Sequence, residues 1–138
     1  KAEVIFTVSP VRHLKDGFIE NSQSKAHLIS AVHRVVQTAP LLHYFPSYEL
    51  MMDELRDYRF YKEDMIHPSD VAIEIIWESF KKAWISPETE SIQKSIRTIR
   101  SGLEHQPFDP TSKQHQSFLK NLKTKMNQIE KEFPHIKF

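Results

Sequence analysis

The sequence predicts an α/β fold with parallel strands, followed by a helical hairpin, and three patterns support this prediction. Residues 4–8 form a continuous apolar, β-branched run, which is typical of a strand buried on both faces of a parallel sheet, and Ser9-Pro10 ends it. A helical pattern separates this run from a second one at residues 41–45. Strand, helix and strand in this order form the crossover unit of a parallel sheet. Residues 87–138 then change to two amphipathic helical patterns.

The helix between the two predicted strands is indicated by apolar residues at helical spacing, which are Leu28, Ala31, Val32, Val35 and Val36. Ser24 precedes them as the expected N-cap, and Pro40 ends the unit. A short helix is then expected from residues 48–55. Residues 56–67 show no sustained period and are predicted to form a loop, after which Pro68-Ser69 opens a strongly amphipathic helix.

The carboxyl-terminal hairpin is predicted from two apolar stripes that Pro107 and Pro110 separate. The first stripe consists of Ile92, Ile96, Ile99 and Leu103. The second stripe consists of Leu119, Leu122, Met126, Ile129 and Phe133. Because each stripe covers one face of a helix, the two helices are expected to pack together beside the α/β part.

The composition of the chain excludes several classes of function. The 138 residues include 19 basic and 18 acidic side chains, and a formal charge of +1 provides no global field to attract nucleic acid or an anionic membrane. Two glycines cannot form a Gly-rich phosphate cradle, and without cysteine the chain has no disulfide, thiolate zinc site or Cys nucleophile. The histidines show no metal-ligand spacing. We therefore expect no cofactor, no metal and no nucleic-acid partner.

No targeting or membrane-spanning segment is visible in the sequence. No apolar run approaches the roughly 18 residues of a membrane span, and nothing resembles a signal peptide. The compartment is thus left undetermined, with the cytoplasm slightly favoured. The chain also lacks an initiator Met and opens directly before the first strand-like run, which predicts a piece of a longer protein.

Asp64 and His67 form the pattern with the clearest chemical meaning. A hydroxyl nucleophile needs an imidazole to accept its proton, and the imidazole needs a carboxylate on its other nitrogen to fix the tautomer and stabilise the imidazolium. A spacing of three residues in a tight loop before a helix can supply both groups from one turn. The D-x-x-H pattern alone is weak, because a surface Asp and His near a helix N-cap occur by chance in many proteins.

Five motifs surround or include this pair, and they occur in the order Thr7-Val8-Ser9-Pro10-Val11-Arg12-His13, Asn21 with Ser24-Lys25-Ala26, Tyr44-Phe45-Pro46-Ser47-Tyr48-Glu49, Asp57-Tyr58-Arg59-Phe60-Tyr61, and Asp64-x-x-His67-Pro68. Together they resemble the GSCFA family, a bacterial branch of the SGNH or GDSL-like hydrolases. The last motif resembles the final conserved block of that superfamily. His105-Gln106-Pro107-Phe108 and the helix after it resemble the family's carboxyl-terminal extension. The resemblance therefore covers nearly the whole chain.

The resemblance implies a partial three-layer α/β/α SGNH (flavodoxin-like) domain, with residues 1–86 as its carboxyl-terminal part and residues 87–138 as a helical extension. It implies a hydrolase or acyl transferase acting on ester or O-acyl groups of a small molecule or carbohydrate. His67 would be general base and then acid, and Asp64 its orienter. The Gly-Ser-Cys-Phe-Ala motif and the Gly and Asn oxyanion blocks do not occur in the sequence. The nucleophile, Ser or Cys, is therefore expected upstream of Lys1, and these 138 residues alone are expected to be inactive.

Two residues after the first predicted strand are further candidates for the site. Ser9 is unsuitable as a nucleophile, because Pro10 offers no N–H for an oxyanion hole. Arg12 could bind a substrate carboxylate or phosphate through its planar, charged guanidinium. The alternative for Arg12 is an ion pair with one of the acidic residues Asp16, Glu49 and Asp57.

Four other polar residues are assigned supporting roles. Arg59 is expected to stack or pair within the loop that positions Asp64. Asn21, Lys25 and Glu49 belong to the family-like motifs, and support of loops is the expectation for them.

A second hypothesis is a non-catalytic binding or scaffold module that retains the SGNH shape. The missing nucleophile segment supports it, as does the helical tail, which could mediate self-association. A homo-oligomer is therefore left open. Because a two-stranded sheet is marginal alone, the chain is expected to pack mainly through its helices or to expose a strand edge that another copy covers.

Overall fold

A computed structural model describes residues 2–138 of the chain. These residues contain one two-stranded parallel sheet and five α-helices, with short π-helical and 3-10 segments between them. They divide into two compact units, of which the first ends at Trp84 and the second spans Ile85–Phe138. None of the helices within residues 2–138 is long and apolar enough to cross a membrane. The predicted mixed α/β class with parallel strands is confirmed.

The sheet pairs β1 (Val4–Thr7) with β2 (Leu42–Phe45) in parallel, and α1 (Phe18–Val36) connects them. Thr7 pairs with Phe45, so both strands end at the same edge of the sheet. β1 is one residue shorter than the predicted run, because the carbonyl of Val8 accepts a hydrogen bond from the Ser47 hydroxyl at 2.8 Å instead of continuing the ladder. The sheet thus presents its carboxyl edge to the loops that follow both strands.

The start of α1 differs from the prediction. Ser24 is not the N-cap, because the helix begins at Phe18 after Gly17, whose φ of 110° is a conformation that favours glycine. The first turn carries Phe18 and Ile19, which are 75% and 78% exposed. Because these side chains do not continue the apolar stripe of α1, the periodicity of the sequence predicts only the later turns of this helix.

The segment after β2 forms a compact series of short elements. Helix α2 (Ser47–Glu49) continues as a π-helix over Leu50–Leu55, and a 3-10 turn follows at Tyr58–Phe60. Helix α3 (Asp70–Trp84) then packs against the π-helix. Met51 and Ala72 are almost fully buried there, at 1% and 0% exposure. The predicted short helix is therefore present, but its larger part is π-helical.

The second unit is an antiparallel helix pair. A 3-10 turn at Pro87–Thr89 leads into α4 (Glu90–Glu104), and α5 is Lys113–Glu132. Its buried core consists of Ile99, Leu122 and Ile129. The helices approach closely at Gly102, where an added Cβ would lie 2.8 Å from the Leu122 side chain. Gly102 near the end of α4 also lies close to Phe118 in the first half of α5, whereas Ile92 near the start of α4 lines a pocket with Ile129 near the end of α5, so the helices are antiparallel.

Replacing Ile99 by Ala should destabilise the helix pair by about 2–5 kcal/mol, because Ile99 is 0% exposed and its truncation leaves a cavity in a core of only three buried side chains. Urea denaturation followed by far-UV circular dichroism measures the change. Exposed Arg100, one residue further on α4, is the matched position, and Arg100→Ala should stay within about 0.5 kcal/mol of wild type. Equal effects of the two substitutions would contradict this packing.

Candidate active site

Asp64 and His67 lie in contact within a tight loop that precedes α3. The Nδ1 atom of His67 is 2.7 Å from Oδ2 of Asp64. The two side chains remain accessible, with 55% exposure for His67 and 45% for Asp64. One ring nitrogen of the imidazole is therefore held by the carboxylate, and Nε2 is left for another partner.

The second oxygen of Asp64 organises the backbone of the same loop. Oδ1 accepts the N–H of Ile66 at 2.9 Å and the N–H of His67 at 3.0 Å. These contacts form an Asx turn, which Asp favours because its short side chain reaches the amides two and three residues further on. Hydrogen bonds from the His67 backbone, the His67 ring and the Ile66 backbone lower the pKa of Asp64 from 3.8 to about 2.

The loop is closed at its base by backbone pairing. Lys62 donates its N–H to the carbonyl of His67 at 2.8 Å, and Ser69 donates to the carbonyl of Phe60 at 2.7 Å. Inside this closure, Met65 has a left-handed backbone with φ of 59°. A non-glycine residue in that conformation carries local strain, which the surrounding hydrogen bonds must offset. The loop is thus held from both sides.

The segment after β1 supports the loop from a third direction. Arg12 donates its backbone N–H to the carbonyl of Ile66 at 3.3 Å, between the two site residues. Asn21 accepts the N–H of His13 at 3.1 Å. Lys25 donates from Nζ to the carbonyl of Ser9 at 2.6 Å. Two side chains of α1 therefore fix the segment that bonds the Asp64–His67 loop.

Lys25 performs this role from a buried position. The residue is 6% exposed, and burial lowers the pKa of its ammonium. Its Nζ lies 5.9 Å from the centre of the Tyr48 ring, which adds a cation–π contact. The sequence patterns marked Asn21 and Lys25 only as members of motifs, and their positions one turn apart on α1 explain why both reach the same segment.

His67 also lines an apolar groove of about 540 Å³ in the first unit. Aromatic side chains of β2 and α3 form much of its wall, with Phe45 and Phe80 in an edge contact at 5.1 Å and Trp77 stacked on Phe80 at 5.7 Å. The groove includes Thr7 and Phe45, so it opens at the carboxyl edge of the sheet, where α/β folds place their sites.

The hydroxyl groups in this groove are occupied by structural contacts. Thr7 donates to the carbonyl of Phe45 at 2.8 Å and lies 2.6 Å from the Ser47 hydroxyl. Ser47, which is buried, donates to the carbonyl of Val8. Within the described residues 2–138, no serine or threonine hydroxyl is hydrogen-bonded to Nε2 of His67. The groove therefore presents an imidazole edge beside apolar walls.

The other predicted candidates have defined positions. The hydroxyl of Ser9 accepts the N–H of Val11 at 3.2 Å and so shapes a turn. The guanidinium of Arg12 lies over the ring of Tyr61, 4.6 Å from its centre. Arg59 lies over Phe60 and 3.7 Å from the Asp57 carboxylate.

Glu49 and the histidines complete the set of candidates. Both carboxylate oxygens of Glu49 accept the Tyr44 hydroxyl at 2.9 Å. Burial is the main cause that raises the pKa of Tyr44, and this contact with Glu49 is the second. Across the part of the chain that the structure describes, no three His, Asp or Glu side chains are grouped so as to hold a metal ion.

Comparison with known proteins places the chain in a family. The model described as GSCFA family matches residues 1–80, and the model described as GSCFA domain protein, C-terminal domain, matches residues 90–138. No curated protein and no solved structure matches the chain. The two family matches follow one another along almost the entire sequence and confirm the resemblance that the motifs indicated. The chain belongs to the GSCFA family.

Proposed function

We propose that this chain supplies the general base, His67, and its orienting carboxylate, Asp64, to a hydrolase site of the SGNH type. The observation that carries the proposal is the 2.7 Å contact between Nδ1 of His67 and Oδ2 of Asp64. It leaves the opposite ring nitrogen available next to a groove at the carboxyl edge of a parallel sheet. The substrate is an ester or O-acyl group on a small molecule or carbohydrate.

Each group has a definite task in acyl transfer. Asp64 is ionised above its pKa of about 2, so its oxygens only accept, and His67 must carry its proton on Nδ1. The lone pair on Nε2 then takes the proton of the nucleophile as its oxygen or sulfur attacks the acyl carbon. The resulting imidazolium is stabilised by the adjacent carboxylate. Nε2 returns the proton to the leaving alcohol when the ester bond breaks.

The nucleophile and the oxyanion donors belong, in this proposal, to a segment upstream of Lys1. Support comes from the groove itself, because the hydroxyls of Thr7 and Ser47 are bound to backbone carbonyls and Pro10 removes the amide that Ser9 would need. The nucleophile is a Ser or Cys, and the acceptor of the acyl group is water or a second alcohol.

The same proposal extends to the fold. Residues 1–86 form the carboxyl-terminal part of a three-layer α/β/α domain, and residues 87–138 form its helical extension. Family membership supports this arrangement, as does β1, which pairs with β2 along one side only within residues 2–138. A further strand on the free side of β1 would build the larger parallel sheet on which SGNH sites lie.

Removal of the imidazole tests the proposal directly. In the longer protein, His67→Ala should lower kcat/KM for a short-chain aryl ester by about 10²–10⁴-fold, because the nucleophile loses its general base. The matched control is His27→Ala on the exposed face of α1, which should leave turnover unchanged.

Wild-type turnover by His67→Ala would refute the catalytic assignment of His67. Absence of ester turnover in the wild-type protein would instead favour a binding or scaffold module that keeps the SGNH shape. The 138-residue chain supplies a second comparison. Its ester turnover should equal that of its own His67→Ala variant, since this segment lacks the proposed nucleophile.

The pKa of Asp64 gives a separate test that needs no turnover. Carbon-detected NMR titration should find a value of about 2, against 3.8 for a free side chain. Because the folded value is the lower one, Asp64 contributes stability above about pH 3.8 and loses this contribution as the pH falls towards 2.

The His67→Ala variant separates the two sources of this shift. It removes the ring contact and keeps the backbone amide of position 67, so the pKa of Asp64 should rise but remain below 3.8. His27→Ala should leave it unchanged. An unperturbed Asp64 in the wild-type chain would contradict the loop geometry.

A further inference from the structure

We propose that a second pocket, lined by Arg12 and Arg56, binds an oxyanion, either a carboxylate or a phosphate. Assigning this oxyanion to the acylated substrate rests on the proposed hydrolase function, whereas the binding itself does not. The pocket has a volume of about 230 Å³ and includes two tyrosines and two methionines in its wall. It lies in the first unit, and Arg12 in its wall also contacts the Asp64–His67 loop.

Arg12 connects the pocket with the proposed catalytic loop. Its backbone N–H binds the carbonyl of Ile66, while its guanidinium lies over the Tyr61 ring at 4.6 Å. Stacking on an aromatic ring fixes the plane of a guanidinium and leaves its edge N–H groups available as donors. One residue thus touches both the anion pocket and the turn between Asp64 and His67.

Arg56 enters the pocket from a strained backbone. Its φ is 43°, and its N–H binds the carbonyl of Met51 at 3.2 Å where the π-helix Leu50–Leu55 ends. A left-handed non-glycine residue and a π-helix are both features that occur often at functional sites. Glycine would adopt this backbone more easily, so replacing Arg56 by glycine removes the guanidinium without adding backbone strain.

The carboxylate in the pocket wall, Asp57, contacts a third arginine and not Arg12 or Arg56. Asp57 is engaged by Arg59, whose backbone N–H lies 2.9 Å from Oδ1 and whose Nε lies 3.7 Å from Oδ2. Within residues 2–138, neither Arg12 nor Arg56 is ion-paired with a carboxylate. Arg12 and Arg56 therefore line one concave site in which the wall carboxylate, Asp57, contacts Arg59.

The chemistry and size of the pocket define its ligand. Two guanidinium groups are suited to oxyanions, because their parallel N–H donors match the oxygens of a carboxylate or phosphate. The volume is below the roughly 300–1,000 Å³ of pockets that enclose whole small molecules. The pocket is therefore sized for one charged group of a larger ligand, and Tyr58, which is 70% exposed, offers a ring at its rim.

The test is a calorimetric and NMR titration of the 138-residue chain at low ionic strength, with inorganic phosphate in one arm and acetate in the other. The wild-type chain should bind at least one of them saturably, with shifts confined to the amides around Arg12, Arg56 and Tyr61. Saturation with only one of the two anions shows whether the pocket binds a phosphate or a carboxylate. Absence of saturable binding in both arms would overturn the proposal.

Two substitutions and a matched control make the assignment specific. Arg56→Gly should weaken anion binding by roughly tenfold or more and keep or raise Tm, because glycine relieves the left-handed backbone. Arg12→Gln should also weaken it. Arg34→Gln removes the same charge from the exposed face of α1 and should have no such effect.

Two outcomes would overturn this assignment, namely wild-type affinity in Arg56→Gly or an equal loss in Arg34→Gln. The pocket and the proposed hydrolase can also fail separately. His67→Ala should retain the anion affinity of the wild-type chain even where ester turnover is lost.

Discussion

The carboxylate of Asp64 is the constraint on which the candidate site depends. One oxygen holds the amides of Ile66 and His67, and the other holds the imidazole of His67. The same side chain therefore shapes the turn and orients the ring that the turn presents. Three donors around one carboxylate also explain why its pKa falls to about 2 although the group is exposed. A carboxylate that stays charged can act only as an acceptor, and this fixes which ring nitrogen carries the proton.

Support for this turn comes from sequence-distant positions. Lys25 and Asn21 of α1 hold the segment after β1, and Arg12 in that segment bonds the carbonyl of Ile66. Burying an ammonium group lowers the stability of the fold unless the group is hydrogen-bonded. The buried Lys25 donates to the carbonyl of Ser9, and this hydrogen bond fixes the segment after β1. The strand–helix–strand unit and the Asp64–His67 loop are thus structurally connected. The groove lies at the carboxyl edge of the sheet, and side chains of α1 fix the segment that joins β1 to the loop.

The sequence patterns predicted the parallel α/β class, both strands and the amphipathic helices, because apolar periodicity reports burial directly. They misplaced the start of α1 at Ser24, because the first turn carries exposed Phe18 and Ile19 and no apolar stripe. The sequence patterns also did not predict the π-helix, because a π-helix of six residues is too short to produce an apolar periodicity of its own. Asp64 and His67 stood out by spacing, whereas Arg56 did not, because only its left-handed backbone and its place in a pocket distinguish it from other surface arginines.

The position of the proton on the His67 ring decides whether this imidazole is oriented to act as a general base. A long-range nitrogen–proton NMR correlation on the 138-residue chain, recorded at a pH where the imidazole is neutral, identifies the protonated nitrogen. We expect a proton on Nδ1, shifted downfield by the Asp64 carboxylate at 2.7 Å, with Nε2 unprotonated. A proton on Nε2, or a ring that averages both tautomers, would rule out this role, because His67 would then lack the oriented lone pair that a general base requires.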